Sequence, residues 1–203
     1  MAALIAAARE PSYPAEIALV VANRRDAAGL RHATQAGIAT AVVEHTAYGA
    51  DRDAFERAID AVLAAHGIAL ICLAGFMRRL TPGFAARWEG RMINIHPSLL
   101  PAFKGLDTHE RALAAGVRIH GASVHFVVPE LDSGPIIAQA AVSVRDDDTA
   151  DALAARVLAA EHRIYPLALR LLAEDRLRVV DGRCVIDGAV FSEGALVAPD
   201  GAH

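Results

Sequence analysis

Apolar runs of strand length that alternate with longer helical patterns constrain this chain more than any other feature of its sequence. Ile17 to Ala22 reads as a strand, ended by the turn-like Asn23-Arg24-Arg25-Asp26. Ala27 to Ala36 reads as a helix closed by Gly37 in the C-cap position. Ile38 to Val43 is a second strand, and Arg52 to His66 an amphipathic helix followed by Gly67. Ile68 to Ala74 is almost wholly apolar, as expected of a strand covered on both faces. Thr81-Pro82 supplies an N-cap and a first helical position for a short helix through Trp88, and Met92 to His96 is a further short strand. Strands and helices in that order predict an α/β fold, a doubly wound and mostly parallel sheet with helices on both faces.

The pattern changes after residue 118. Val124 to Val128 and Ile136 to Val144 are strands with only the loop Pro129 to Pro135 between them, which predicts an antiparallel pair. Thr149 to Ala173 reads as one long helix bent near Pro166, and the C-terminal stretch as a small hairpin around Asp181-Gly182. No internal repeat, low-complexity tract or linker interrupts the chain. Its 203 residues suit a single domain, and 54% hydrophobic against 22% charged residues supply a core and argue against bulk disorder.

Charge narrows the function classes. Twenty Lys and Arg against 24 Asp and Glu leave a formal net charge of −4, which argues against a chain built to coat nucleic acid or an anionic membrane. No apolar run approaches the ~18–20 residues of a transmembrane helix. The two cysteines, Cys72 and Cys184, cannot make a disulfide scaffold or a four-thiolate metal site. The start, Met1 to Ala8, has no basic region and is soon followed by Arg9, Glu10 and Pro11, unlike a signal peptide. The expected location is cytoplasmic.

Ligands of open α/β sheets bind beyond the carboxyl ends of the strands. Here those ends are Asn23, Gly75-Phe76-Met77 and Asn94-Ile95-His96-Pro97. Asn94 and His96 alternate along a strand and so share a face, and Pro97 ends the strand behind them. A carboxamide donor beside an imidazole suits acyl transfer, where the amide bonds a developing oxyanion and the imidazole moves protons near neutral pH. The same pair could instead cap the strand and its loop. Asp132, in Glu130-Leu-Asp-Ser-Gly-Pro135, is either a turn aspartate or an acid placed to favour the His96 imidazolium. The nine histidines, His96, His109, His120 and His125 among them, follow no metal-ligand spacing, so no metal is expected. Arg78-Arg79 reads on its own as a solvated loop. G-x-S-x-G, G-x-G-x-x-G and G-x-x-x-x-G-K are all absent from the sequence.

Taken together, Ile93-Asn-Ile-His-Pro-Ser-Leu-Leu-Pro101, Gly105-Leu-Asp-Thr-His109, His120-Gly-Ala-Ser-Val-His125 and Leu131-Asp-Ser-Gly-Pro-Ile-Ile137 resemble the folate-dependent phosphoribosylglycinamide formyltransferases of purine synthesis. Ala74-Gly-Phe-Met-Arg78, Leu80 and Glu161-His-Arg-Ile-Tyr-Pro166 match as well, so the resemblance runs in order from about Ile17 to about Val180. Methionyl-tRNA formyltransferases and formyltetrahydrofolate hydrolases share the Asn-x-His and Asp elements. The Gly105-Leu-x-Thr-His109 stretch and the negative net charge favour the glycinamide ribonucleotide enzyme over the tRNA enzyme.

The resemblance implies transfer of the formyl group of 10-formyltetrahydrofolate to the amine of glycinamide ribonucleotide. The folate is then a co-substrate rather than a bound cofactor. Asn94, His96 and Asp132 become the catalytic set. Met77, Arg78, Arg79 and Leu80 line the folate pocket, Val128 to Asp132 close over the pterin, and Arg52 lies at the folate side of the cleft. Glu161 meets the ribose of the nucleotide. Residues 1–203 form one domain: a nucleotide-side half over about 1–90, a catalytic and folate-side half over about 91–180, and a hairpin and tail over 181–203. The partners are small-molecule substrates, not nucleic acid or membrane, and a homodimer stays open. Two alternatives stand beside this reading, a formyltetrahydrofolate hydrolase and an inactive folate-binding remnant.

The beginning departs from the family pattern. Family members open with an apolar strand and a Gly-x-Gly-Ser-Asn loop, whereas Met1-Ala-Ala-Leu-Ile-Ala-Ala-Ala8 resembles the helix that follows that loop. Such a loop binds a phosphate through backbone N–H groups. A start assigned downstream of the true one, a shortened chain and a genuine variant all fit. Taken literally, the sequence predicts a central strand position without its strand, reduced stability and weak ribonucleotide affinity.

Overall fold

The alternating face of β4 (Met92–His96) explains the layering of the molecule, which we describe from a computed structural model over residues 1–190, 194 and 196–199. Successive strand side chains point to opposite faces. Ile93 faces a core made with α6 (Ala150–Ala173), β5 (Ile119–Phe126) and β6 (Ile136–Ser143). Met92 faces the other way, into a cluster with Leu63 of α3 (Arg52–Ala65) and with Phe84, Ala85 and Trp88 of and just after α4 (Pro82–Arg87).

Three of the helices, α3, α4 and α6, carry a side-chain cap at their start. On α6, buried Leu153, Val157, Ala160, Ile164, Ala168 and Leu171 recur at three- and four-residue steps and make one apolar face. Thr149 caps that helix by accepting a hydrogen bond from the Ala152 N–H, and Pro166 lies inside it as expected. Asp51 caps α3 through Ala54, and Thr81 caps α4 through Phe84 with Pro82 in its first turn. Asp60 of α3 ties α4 down by accepting from Arg87 and from the Trp88 indole. Across the sheet, the buried Tyr165 hydroxyl donates to the carbonyls of Leu73 (2.7 Å) and Ile93 (3.2 Å), fixing α6 against two neighbouring strands.

The strands form three hydrogen-bonded groups. β1 (Leu19–Ala22) pairs in parallel with β2 (Ala39–Val42), with α2 (Ala28–Gln35) as their crossover. β3 (Ile71–Leu73), β4, β5 and β6 make a four-stranded sheet in that order. β3 and β4 are parallel, while β4–β5 and β5–β6 are antiparallel. Three of its four strands therefore run in one direction and only β5 runs against them. The α/β class, the mostly parallel sheet and its antiparallel portion are as the sequence predicts. β7 (Leu177–Val180) and β8 (Arg183–Ile186) form the expected hairpin around Asp181-Gly182. Residues 191–193, 195 and 200–203 of the tail beyond it lie outside the described residues.

Four expectations need correction. The run Ile68 to Ala74 contributes only Ile71–Leu73 to the sheet, and all three are half-buried rather than enclosed. The reason is that β3 has a strand partner along one edge, β4, so its flanking residues have no ladder to join. The sheet expected as one piece is divided, because β1 and β3 are not hydrogen-bonded to each other. β5 begins at Ile119, five positions before Val124, since Ile119 to Ser123 are paired by β6 despite their small and polar side chains. Finally, α5 (Thr108–Ala114) and a single 3-10 turn (His45–Tyr48) were not anticipated, nor was α1 (Ala2–Ala7) bounded from the pattern alone. No helix among the described residues is long and apolar enough to cross a membrane.

Candidate active site

The carboxyl end of β4 carries Asn94 and His96 on the same face as Met92, so the end of the strand that buries Met92 also presents both polar groups. Antiparallel pairing sets Asn94 opposite His125 of β5. Their side chains meet, with the Asn94 carboxamide nitrogen 3.4 Å from His125 Nε2. His125 Nδ1 lies 2.8 Å from the Phe126 carbonyl, an acceptor that places the proton on Nδ1. Burial also pushes the His125 pKa down, which keeps the ring neutral and leaves Nε2 as an acceptor for the amide.

Asp132 arrives from the loop between β5 and β6. Its Oδ2 is 3.5 Å from His96 Nδ1 and accepts a 2.9 Å hydrogen bond from the Gly105 N–H, while its Oδ1 is 3.8 Å from His125 Nε2. His96 and Asp132 are 6% and 8% exposed, so this pair is shielded from water and its interaction is only weakly screened. The other ring nitrogen of His96 lies 3.0 Å from the Phe103 carbonyl. Both imidazole nitrogens thus face oxygen acceptors. Asp132 adopts a left-handed backbone, φ 48°, which aspartate tolerates better than most residues and which turns its carboxylate back toward β4.

Backbone proximity makes that loop possible. Gly134 lies so close to the end of β5 that a Cβ there would sit 1.8 Å from the Phe126 oxygen. Lys104 adds a tether from the loop after β4, donating to the Ser133 hydroxyl at 2.5 Å.

The remaining residues singled out by sequence fall in three places. Met77, Arg78, Arg79 and Leu80 lie on the strap between β3 and α4. Met77 is 76% exposed, the Arg78 guanidinium sits 5.7 Å from the Phe55 ring centre, and Leu80 packs into the cluster around Phe84. Because Leu73 pairs with Asn94, this strap leaves the sheet beside the catalytic candidates. Arg52 is exposed in the first turn of α3, and Val128 is half-buried at the start of the Asp132 loop. Glu161 stands apart on α6, in a cavity of about 430 Å³ also lined by Gly29, Gly75, Ile95 and Tyr165. Asn94, His96 and Asp132 do not line that cavity, since Ile95 belongs to the opposite face of β4. Burial pushes the Glu161 carboxyl above its ordinary pKa.

Sequence reasoning missed His125 and the Gly105 N–H as members of this cluster. Only the β4–β5 register and the fold of the loop after β4 bring them in, although His125 stood in a quoted motif. Among the described residues, no group of three or more His, Cys, Asp or Glu has the geometry to hold a metal ion.

A second histidine cluster lies behind the site. His120 is 1% exposed, with the rings of His109 and Phe103 edge-on at 5.4 and 5.7 Å. Burial pushes its pKa down from 6.5 to about 4, and the neighbouring His109 acts in the same sense. A histidine that is neutral when folded and protonates more readily when unfolded stabilises the fold fully above pH 6.5. That contribution is lost as pH falls from 6.5 toward 4. Thermal melts are therefore expected to shift downward over this window, with His120 accounting for about 3 kcal/mol. His120→Asn should melt lower at neutral pH but lose less between pH 6.5 and 4; parallel slopes for the two proteins would contradict this assignment.

The chain has well-matched relatives among known proteins. The formyl transferase family is matched over residues 1–169, and the chain belongs to that family. Within it, the chain is 42% identical to phosphoribosylglycinamide formyltransferase of Escherichia coli (strain K12), over 92% of this chain and 87% of that one. It is 50% identical, over 87% of its length, to the trifunctional purine biosynthetic protein adenosine-3 of Gallus gallus, of which it spans only 18%. The crystal structure of glycinamide ribonucleotide transformylase 1 from Symbiobacterium toebii superposes with a TM-score of 0.88 at 44% identity, covering 91% of this chain and 87% of that one.

Proposed function

We propose that this protein is a phosphoribosylglycinamide formyltransferase, which moves the formyl group of 10-formyltetrahydrofolate to the amine of 5'-phosphoribosylglycinamide. The observation that carries this reading is the meeting of Asn94, His96 and Asp132 at the end of β4, in a formyl transferase chain closely similar to enzymes of that name. The amine attacks the formyl carbon and forms a carbon–nitrogen bond, giving a tetrahedral intermediate. Asn94 offers an N–H to its oxyanion, and His96 offers a second by exchanging its bond to the Phe103 carbonyl for one to the substrate. Collapse breaks the bond to the folate nitrogen. The proton shed by the attacking amine balances the proton that nitrogen takes up, with His96 in reach of both. Asp132 holds the imidazole in place.

In the same reading, Met77, Arg78, Arg79, Leu80 and Val128 bound the folate, with Arg52 at the outer edge. Glu161 accepts from the ribose in the separate cavity on the α6 side. No metal takes part, and the folate serves as co-substrate.

A spectrophotometric formyl-transfer assay with 10-formyltetrahydrofolate, with and without glycinamide ribonucleotide, tests the proposal. Tetrahydrofolate release that requires the nucleotide is the expected result. Release without nucleotide would assign the protein to hydrolysis instead, and binding of folate without turnover would make it a non-catalytic folate binder.

A further inference from the structure

Glu56 is a carboxylate in the middle of α3, 2% exposed, with no Arg, Lys or His forming an ion pair with it among the described residues. Burying an unpaired carboxylate is costly unless hydrogen-bond donors replace water. Both of its donors come from one residue. The Thr81 N–H donates to Oε1 at 2.7 Å, and the Thr81 hydroxyl makes a short hydrogen bond to Oε2. That hydroxyl also accepts the Phe84 N–H at 3.2 Å as the cap of α4. A core needs no buried charge to start a helix of six residues, because Thr81 alone makes the cap.

What Glu56 adds is position. Thr81 ends the strap of residues 74–80 that leaves β3 beside Asn94. Within the strap Met77 and Arg79 are exposed, and Leu80 packs into the cluster around Phe84 that includes Leu63 of α3. Arg78 lies over the ring of Phe55, the residue next to Glu56. Two adjacent residues of one helix therefore fasten a short, exposed segment at Arg78 and Thr81, and Arg52 lies one turn earlier on the same helix.

We propose that Glu56 is a positioning residue for the folate subsite: through Thr81 it holds the strap 77–80 in its binding geometry against α3. This inference rests on the reading of that strap as folate-lining. Substrate binding that relies on a preset loop weakens when the loop must be ordered at the moment of binding.

Steady-state kinetics of E56Q, T81V and the E56Q/T81V double variant, with R78A as the direct probe, test it. E56Q keeps the size of the side chain but offers the Thr81 hydroxyl an amide N–H in place of an acceptor. E56Q and T81V are each expected to raise KM for 10-formyltetrahydrofolate by about tenfold, the effect of one lost hydrogen bond to a charged group. They should leave kcat and the KM for the nucleotide within about twofold, a margin of ~0.4 kcal/mol. The double variant should be no worse than either single one, because both break the same contact. T81S, which keeps the hydroxyl, should bind folate normally. Hydrogen exchange of residues 76–80 should quicken in E56Q while that of β4 and α6 does not. A lowered melting temperature with an unchanged folate KM would overturn the proposal, as would equal changes in both KM values. If R78A itself leaves the folate KM unchanged, the strap is not folate-lining and the proposal falls with that reading; a raised KM in R78A with none in E56Q overturns the role of Glu56 alone.

Discussion

Asn94→Ala and His96→Ala are each expected to lower kcat by about 10²–10³, or ~3–4 kcal/mol, the usual consequence of removing one oxyanion donor. The fold should survive both changes. Asn94 and His96 spend their polar atoms on one another's neighbourhood, the His125 ring, the Asp132 carboxylate and the Phe103 carbonyl, rather than on the apolar contacts that hold α6 to the sheet. The cost to stability should be about 1 kcal/mol, one net hydrogen bond. Single-turnover formyl transfer and a thermal melt on the same samples separate the two effects. A variant already unfolded at assay temperature would show that the site and the core cannot be divided in this way. KM for either substrate should change less than kcat, since both side chains act most on charge that develops in the transition state.

Gly134→Ala should produce the second large effect, and by a different route. A Cβ at this position would stand 1.8 Å from the Phe126 oxygen and 2.8 Å from its carbonyl carbon. Contacts of that kind are with backbone, so no side chain can swing aside to relieve them. The loop between β5 and β6 must move instead, and with it Asp132, two residues away and already in a left-handed turn. A displacement near 1 Å at a catalytic group is enough to cost about a hundredfold in rate. Gly121→Ala provides the contrast. There a Cβ would meet the Ala140 oxygen at 2.0 Å, in the β5–β6 ladder and away from the Asp132 loop. It should destabilise the sheet by about 3 kcal/mol or more, lowering the melting temperature by roughly 6–12 °C. Gly134→Ala should lose far more turnover than melting temperature, and Gly121→Ala the reverse. Equal losses in both measurements for both variants would mean that the loop and the ladder fail as one unit.

The two glycines and the cluster around His96 belong to the same structural fact, the close approach of β5 to β4 and β6. The contacts that close the cluster join residues distant in the chain. His96 and Asp132 come from separate motifs, and nothing in their spacing requires them to meet. The β4–β5 register, the left-handed Asp132 and the near contact at Gly134 together bring the carboxylate to the imidazole.

Much of this protein was legible without coordinates. Thr81-Pro82 starts its helix because a side-chain oxygen can satisfy a free N–H where the chain enters a helix. The stretch from Thr149 to Ala173 reads as the helix α6, and the two-residue alternation of Met92 to His96 places Asn94 and His96 on one face. Those are consequences of backbone geometry that each segment carries by itself. The motifs around Asn94, Asp132 and Glu161 likewise pointed to the formyl transferase family to which the chain belongs.

Tertiary structure decided the rest. Ile119 to Ser123 joins a strand although His120, Gly121 and Ser123 give no apolar alternation, since β6 pairs its backbone and Gln139 satisfies the Ser123 hydroxyl. The apolar run from Ile68 yields a three-residue strand, because pairing along a single edge, and not hydrophobicity, sets how far a ladder extends. His125 becomes part of the site only through its register opposite Asn94, and Glu56 acquires a role only because Thr81 returns to it across 25 residues. Local sequence sets dihedral preference and the face on which each side chain lies; which strand edges pair, and which buried polar atoms find partners, depends on groups distant in the chain and is settled only when the layers pack.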